Sequence, residues 1–141
     1  MNSDLTPHFS ERQAQRLDRC AQFAVLAARL AMEDAGLRLE PDETRADMGV
    51  FLGTALGGIS AAETEHAKFL GPGGARAMYP LLAIQIYGGS GACNAAIELG
   101  LRGPNNCFSA SCASGTVAVG EAFRCVREGR AAIMLAGGAE A

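Results

Sequence analysis

The first third of the chain shows a helical pattern of apolar positions. From Ser10 to Gly36, apolar residues recur every three or four positions, which predicts one long amphipathic helix. Ser10 and Gln13 have the spacing of a capping box, and Gly36 can adopt the left-handed conformation that often ends a helix. Residues 38–47 are polar and contain a proline, so we expect a loop there. We expect residues 1–9 to be a frayed tail.

The rest of the chain alternates between short apolar runs and helical patterns. Three apolar runs predict buried strands, at residues 48–53, 106–111 and 131–136. Helical patterns fall between these runs, at residues 60–69, 92–99 and 113–128. Gly137 and Gly138 are expected to close the third strand, and Gly129 to end the last helix. Strands that alternate with helices at this spacing indicate a parallel sheet in an α/β domain.

Length and charge narrow the class of protein. The 141 residues are enough for one domain, which we place at residues 10–141. Hydrophobic residues make up 49% and charged residues 19%, a balance typical of a folded chain. The net charge of -3 argues against a general nucleic-acid binder. The longest apolar stretch is interrupted by polar side chains and is too short to cross a bilayer, so we expect no membrane partner and a cytoplasmic location.

Cysteine usage and the glycine-rich segments exclude several kinds of site. The five cysteines are an odd number and lack the CxxC spacing of common zinc and redox sites. We therefore expect no metal site and no disulfide framework. The glycine-rich segments lack the lysine and Ser/Thr pair of a phosphate-binding loop. No cofactor is expected.

Cys112 is the candidate nucleophile of the chain. It follows a strand-forming run and precedes a helix made almost entirely of small residues. The positive end of a helix dipole favours a thiolate, the nucleophilic form of cysteine. The alternative is that Cys112 is a small buried apolar residue, as most free cysteines are. Gly115 and Gly120 disfavour a helix, so we expect close packing on all sides of this helix to offset their cost.

The residues around Cys112 resemble the nucleophile region of the elongating β-ketoacyl synthases, the condensing enzymes of fatty acid and polyketide assembly. The resemblance rests on motifs in the order and spacing of that family, at residues 48–54 (MGVFLGT), 100–104 (GLRGP), 111–115 (SCASG), 120–124 (GEAFR) and 134–141 (MLAGGAEA). It covers roughly residues 9–141. Together these motifs are specific, although each glycine-rich piece alone is weak.

The resemblance implies a fold and a reaction. The fold is thiolase-like, a layered α/β/α/β/α architecture of two similar halves, of which this chain holds the N-terminal half. Cys112 is then the residue that accepts an acyl group from a carrier-protein thioester, and its N–H forms half of an oxyanion hole. A carbanion made by decarboxylating a malonyl-type extender attacks the acyl-enzyme. The implied partners are acyl carrier protein, acyl and malonyl thioesters, and a second copy in a homodimer when the enzyme is complete.

The family also uses residues that this sequence does not contain. Two histidines, a lysine and a Gly-Phe-Gly-Gly type loop lie well beyond the nucleophile in that family. The two histidines of this chain, His8 and His66, lie upstream of Cys112, and we expect both to be ordinary solvated residues. We therefore expect the chain to be a portion of a longer enzyme that cannot condense substrates alone.

The resemblance assigns roles to two further pairs of residues. Ala55 and Leu56 occupy the turn that borders the acyl pocket in the family, and core packing is the alternative for Leu56. Arg12 and Arg16 match basic residues that help to dock the acidic carrier protein. With Arg19 they have helical spacing along one face, and a solvated basic face is the alternative.

Two functions of different classes follow. The first is an acyltransferase portion, a 3-oxoacyl-[acyl-carrier-protein] synthase of fatty acid or polyketide biosynthesis that uses Cys112. The second is a non-catalytic structural subunit that pairs with a partner carrying the missing half. A serine hydrolase is excluded because no Gly-x-Ser-x-Gly pentapeptide occurs.

Overall fold

The computed structural model describes residues 4–37 and 45–141. Its helices and strands follow the order α1 (Glu11–Arg16), α2 (Arg19–Asp34), β1 (Met48–Gly53), α3 (Ile59–Leu70), α4 (Leu82–Ile86), α5 (Ser90–Glu98), β2 (Asn105–Phe108), α6 (Ser114–Arg127) and β3 (Ile133–Gly138). Residues 1–3 of the expected tail and residues 38–44 of the expected loop lie outside the described residues. No helix in the described part is long and apolar enough to cross a membrane.

The three strands form one parallel sheet in the order β2-β1-β3. This confirms the parallel α/β arrangement. Helices cover both faces of the sheet, with α2 and α5 on one side and α6 on the other. Alternate residues of β1 supply both layers of the core: Met48 and Val50 pack with α2 and α5, and Phe51 packs with α6.

The predicted long helix is wrong in one respect, because it is divided into α1 and α2. Leu17 has an extended backbone, and the side chain of Asp18 caps the second helix by accepting bonds from the N–H groups of Cys20 at 2.9 Å and Ala21 at 3.2 Å. Asp competes in this way with helix continuation. The predicted start of the first helix is present, because Ser10 and Gln13 form the capping box.

The end of α2 has the expected glycine geometry. Gly36 has a φ of 67°. The N–H of Leu37 donates to the carbonyl of Met32 at 2.9 Å, and that of Gly36 to the carbonyl of Glu33 at 3.0 Å. This is the pair of bonds that defines a Schellman motif. Gly129 after α6 is also left-handed, with a φ of 72°, as predicted.

Residues 4–9 differ from the expected frayed tail. Leu5 and Phe9 are buried in the same core cluster as α2 and α5. The guanidinium of Arg29 lies 5.0 Å from the centre of the Phe9 ring, and its Nη1 donates to the carbonyl of His8 at 2.7 Å. Apolar burial and a cation–π contact therefore order this segment.

Helix α6 is packed on one face and open on the other, which corrects the expectation of close packing on all sides. Ala118 and Cys125 are fully buried against the sheet, whereas Val119 and Phe123 are 51% and 64% exposed. A Cβ added at Gly120 would meet no atom within 4 Å. Within the described residues, the second face of α6 therefore has no covering layer.

Two strand ends also differ from the predictions. β2 ends at Phe108 rather than at residue 111, because the following residues form a hydrogen-bonded turn. β3 begins at Ile133 and includes Gly137 and Gly138, which were expected to close it. Both glycines pair in register with β1, opposite Leu52 and Gly53.

Candidate functional site

The candidate site lies where the carboxyl ends of the three strands meet. Parallel α/β sheets commonly bind ligands at this edge. The register places Gly53, Phe108 and Gly138 level with one another there. An open cleft of about 390 Å³ lies at this edge. Its walls include Thr54 and Ala55 after β1, Ser111 and Cys112 before α6, and Ala139 and Glu140 after β3.

A close backbone contact fixes the start of α6 over the end of β1. A Cβ at Gly53 would lie 2.1 Å from the carbonyl carbon of Ser114. A Cβ at Gly115 would lie 3.4 Å from the Cα of Gly138. Glycine is needed at residue 53 because no side chain fits between the two backbones. These contacts determine how far the residues just before α6 stand from the sheet.

The turn that carries Cys112 is held by one buried hydroxyl. Ser114 Oγ accepts from the N–H of Ala110 at 2.8 Å and donates to the carbonyl of Ser111 at 2.6 Å. Ser111 has a φ of 49°, a left-handed conformation that is uncommon outside glycine. Such local strain clusters at functional sites. This turn places Cys112 at the cleft, two residues before the first residue of α6.

Cys112 differs from the other four cysteines in its exposure. It is the exposed member of the five, whereas Cys20 and Cys125 are buried. Burial raises the pKa of Cys20 to about 11 and also raises the pKa of Cys107. Cys107 Sγ donates to the carbonyl of Gly88 at 3.0 Å. The raised pKa of Cys20 and of Cys107 disfavours their thiolates, while the Cys112 thiol is open to reagents.

The structure separates the two residues expected to border the substrate. Ala55 lies on the cleft wall. Leu56 does not line the cleft, and its side chain is 65% exposed. The peptide groups of both residues are fixed nevertheless, through hydrogen bonds to a carboxylate that the sequence analysis missed.

That carboxylate is Glu140. Its Oε2 accepts from the N–H of Ala55 at 2.6 Å, the hydroxyl of Thr54 at 3.0 Å and the N–H of Leu56 at 3.4 Å. Partial burial raises its pKa, but the hydrogen bonds outweigh this effect and hold the pKa of Glu140 below its ordinary value of 4.5. A carboxylate bonded in this way is a weak base. Its partners are 84 to 86 residues away in sequence, so no local motif could have indicated its role.

The structure does not bring the expected docking residues into the cleft. Arg12 and Arg16 are exposed on α1. Arg19 lies on α2, beyond the break, with its guanidinium 5.0 Å from the centre of the Phe23 ring. The expected single face of three arginines is therefore divided between two helices, with Arg12 and Arg16 remaining one turn apart on α1.

Neither histidine reaches the site. His8 and His66 are both exposed, and the imidazole of His66 stacks on the Phe69 ring with the ring centres 6.5 Å apart. Among the described residues, the side chains of the cleft thus supply a thiol, hydroxyls and a carboxylate, without an imidazole.

Comparisons with known proteins agree over nearly the whole chain. Residues 3–141 match the family model described as "Beta-ketoacyl synthase, N-terminal domain". The chain is 35% identical over 140 residues to 3-oxoacyl-[acyl-carrier-protein] synthase 2 of Staphylococcus aureus, with 99% of this chain and 33% of the relative covered. It is 39% identical over 142 residues to the protein of the same name from Synechocystis sp., with 98% of this chain and 33% of the relative covered. The chain spans about a third of the length of the curated relatives it matches.

Solved structures agree on the fold. The structure described as "The ishigamide ketosynthase/chain length factor" matches 100% of this chain and 35% of its own, with a TM-score of 0.87 and 29% identity. One chain of the structure described as "type II PKS acyl-carrier protein in complex with its ketosynthase bound to the hexaketide" also matches. The match covers 98% of this chain and 39% of that chain, with a TM-score of 0.84. Its 22% identity supports the fold alone. The fold is thus a partial thiolase-like fold, its N-terminal portion. The chain belongs to the β-ketoacyl synthase family, whose N-terminal domain it contains.

Proposed function

We propose that Cys112 accepts an acyl group from a carrier-protein thioester, as part of a 3-oxoacyl-[acyl-carrier-protein] synthase of fatty acid or polyketide biosynthesis. The observation that carries the proposal is the position of Cys112. It is an exposed thiol in a cleft at the carboxyl ends of all three strands, on a strained turn held by Ser114. Family membership and the carrier-protein synthases among the relatives support the same reaction.

The proposed step is a thioester exchange. The Cys112 sulfur forms a bond to the acyl carbonyl carbon, and the bond from that carbon to the sulfur of the carrier breaks. The proton of the Cys112 thiol ends on the released carrier thiol. The N-terminal end of α6, directly after Cys112, favours negative charge on the attacking sulfur and on the carbonyl oxygen.

The proposed acyl donor is an acyl carrier protein that docks on α1. Arg12 and Arg16 are exposed one turn apart, a spacing that presents two cations on one side of the helix. A solved structure with the same fold contains an acyl-carrier protein in complex with its ketosynthase. We expect Arg12→Glu with Arg16→Glu to slow acylation by a carrier-bound substrate about tenfold or more at low salt, and to leave acylation by a small thioester unchanged.

Condensation requires more than the described cleft supplies. In the proposed complete reaction, a malonyl thioester loses CO2 to give a carbanion. The carbanion forms a bond to the acyl carbonyl carbon, and the bond from that carbon to the Cys112 sulfur breaks, which releases the Cys112 thiolate. His8 and His66 are remote from the cleft, so neither can assist this step. We expect this chain alone to become acylated without forming a 3-oxoacyl product, and the complete enzyme to act as a homodimer.

The experiment measures the two half-reactions separately. The chain is incubated with hexanoyl-loaded acyl carrier protein, and then with malonyl-loaded carrier. An acyl adduct that is lost in Cys112→Ala and retained in Cys93→Ala supports the proposal. A 3-oxoacyl product made by this chain alone contradicts the expectation that it is acylated but does not condense substrates. The Staphylococcus aureus relative serves as the positive control.

A second candidate function is a structural subunit that pairs with another polypeptide. The open apolar face of α6, with Val119 and Phe123 exposed, favours it. This candidate predicts that Cys112→Ala leaves pairing intact and that the chain never becomes acylated. Copurification with a polypeptide that carries two catalytic histidines, together with the absence of an adduct on Cys112, would support it over the acyltransferase.

A further inference from the structure

Glu140 occupies an unusual place for a carboxylate, because it lines the same cleft as the Cys112 thiol. A negative charge there opposes the formation of a second one on sulfur, so its presence needs another explanation. Among the described residues, the hydrogen bonds of its Oε2 come from the segment directly after β1: the hydroxyl of Thr54 and the N–H groups of Ala55 and Leu56.

The peptide groups of Ala55 are held from two sides. Its N–H donates to Glu140, and its carbonyl accepts from the hydroxyl of Ser109 at 3.2 Å. Glu140 follows β3, and Ser109 follows β2, three residues before Cys112. Ala55, on the cleft wall, is therefore tied to the segments that follow both neighbouring strands.

The same carboxylate also organises the turn indirectly. The hydroxyl of Thr54 donates to Glu140 and accepts from the N–H of Gly57 at 3.0 Å. If Glu140 were removed, the hydroxyl of the buried Thr54 would lose the acceptor that the carboxylate supplies. The residues next to Thr54 and Glu140 are also joined, because the N–H of Ala139 donates to the carbonyl of Gly53 at 3.1 Å.

We propose that Glu140 is a positioning residue for acyl transfer: it fixes Thr54 and Ala55 as the wall of the Cys112 cleft against which the acyl thioester lies. This inference rests on the proposed acylation of Cys112. Glu140 itself exchanges no proton with the substrate. Its part is to keep the wall at one distance from the sulfur while the tetrahedral intermediate forms.

The first test measures the wall directly. Hydrogen exchange of the Ala55 and Leu56 amides is compared in the full chain and in Glu140→Ala, with the Leu37 amide as an internal reference and Glu128→Ala as the control variant. Glu128 pairs with Arg130 on the surface, away from the cleft. We expect protection at Ala55 to fall about tenfold or more in Glu140→Ala, as for loss of a hydrogen bond to a charged acceptor, and to be unchanged in Glu128→Ala.

The second test separates positioning from a general structural effect. Iodoacetamide needs only an exposed thiolate, whereas an acyl thioester also needs the wall. We expect Glu140→Ala to slow acylation of Cys112 about tenfold without slowing its alkylation. Ser109→Ala, which removes the other bond to Ala55, should slow acylation by a smaller factor. Equal losses in both reactions, or no loss in either, would overturn the inference.

The pH dependence gives a third readout. Because the folded pKa of Glu140 lies below its ordinary value, the carboxylate supports the wall at neutral pH and stops doing so as pH falls through that lowered pKa. The titratable groups that face it are the thiols of Cys20, Cys107 and Cys112. Ordinary thiols are uncharged at acid pH, and the raised pKa values of Cys20 and Cys107 leave both uncharged there. Protection at Ala55 should therefore fall on acidification in the unmodified chain, and Glu140→Gln should abolish that dependence.

Failure of this inference is distinguishable from failure of the proposed function. If the unmodified chain takes no acyl group while the Staphylococcus aureus relative does, the proposed function is refuted, and with it the role of Glu140 in acylation. The exchange experiment still decides whether Glu140 holds the wall. If the chain is acylated and Glu140→Ala is acylated at the same rate, the inference alone is refuted.

Discussion

Replacing Gly53 by alanine should displace the start of α6 and disturb the cleft. The added Cβ would lie 2.1 Å from the carbonyl carbon of Ser114, 2.2 Å from its oxygen and 2.5 Å from the nitrogen of Gly115. All three are backbone atoms, so no side-chain rotation can relieve the overlap. An ordinary carbon–carbon contact is about 3.5 Å, so the two backbones must separate by roughly 1.4 Å.

The energetic cost follows from the same geometry. Overpacking of a well-packed site costs about 1–3 kcal/mol, and a clash between two backbones belongs at the upper end or beyond it. We therefore expect Gly53→Ala to lower the free energy of unfolding by about 3 kcal/mol. Because Cys112 lies just before α6, the same displacement should slow its acylation in molecules that still fold.

The matched control is Gly120→Ala, on α6 itself. A Cβ there meets no atom within 4 Å, and alanine is a better helix former than glycine by about 1 kcal/mol. Urea unfolding followed by circular dichroism should show Gly53→Ala less stable and Gly120→Ala more stable than the unmodified chain. Unchanged stability in Gly53→Ala, with an unchanged acylation rate, would refute the close contact between β1 and α6.

Three further predictions concern separate parts of the molecule. Iodoacetamide at neutral pH should label Cys112 before Cys20 and Cys107, since burial raises the pKa of both of those thiols; peptide mass spectrometry measures the order. Asp18→Ala should lower the free energy of unfolding by about 1–2 kcal/mol, because two N–H groups at the start of α2 lose their acceptor. The open apolar face of α6 should make the chain self-associate, and Phe123→Glu, which places a charge on that face, should reduce the self-association measured by sedimentation.

Each of these predictions has an outcome that contradicts it. Equal labelling of all five cysteines would mean that exposure and burial do not distinguish the thiols. An Asp18→Ala variant as stable as the unmodified chain would mean that α2 does not depend on this cap. Self-association that is unaffected by Phe123→Glu would assign it to another surface, and Thr64→Glu, which makes the same change of charge at an exposed position on α3, serves as the comparison.

Much of the fold was predictable because its determinants are local. The apolar run of β1 and the glycines after α2 and α6 act through their own backbone and immediate neighbours, and all three predictions are confirmed. The break at Asp18 was missed because one apolar stripe continues through both helices. Its cause is a side-chain hydrogen bond that competes with the helix, and periodicity does not record that competition.

The candidate site was predictable in part. Cys112 could be found because the residues that build its turn, from Ala110 to Ser114, are adjacent in sequence. Glu140 could not be found, because its function depends on contact between segments 84 to 86 residues apart. The composition of α6 indicated close packing, yet only the face that meets the sheet is covered within the described residues. A helix rich in small residues can pack closely, but its composition does not identify the surface against which it packs.

The most direct measurement is the intact mass of the chain after incubation with an acyl-loaded carrier protein, followed by peptide mapping. We expect a single acyl adduct on Cys112, absent in Cys112→Ala and retained in Cys93→Ala. An unmodified mass, under conditions that acylate the Staphylococcus aureus relative, would contradict the assignment of Cys112 as the acyl acceptor. So would adducts spread over several cysteines.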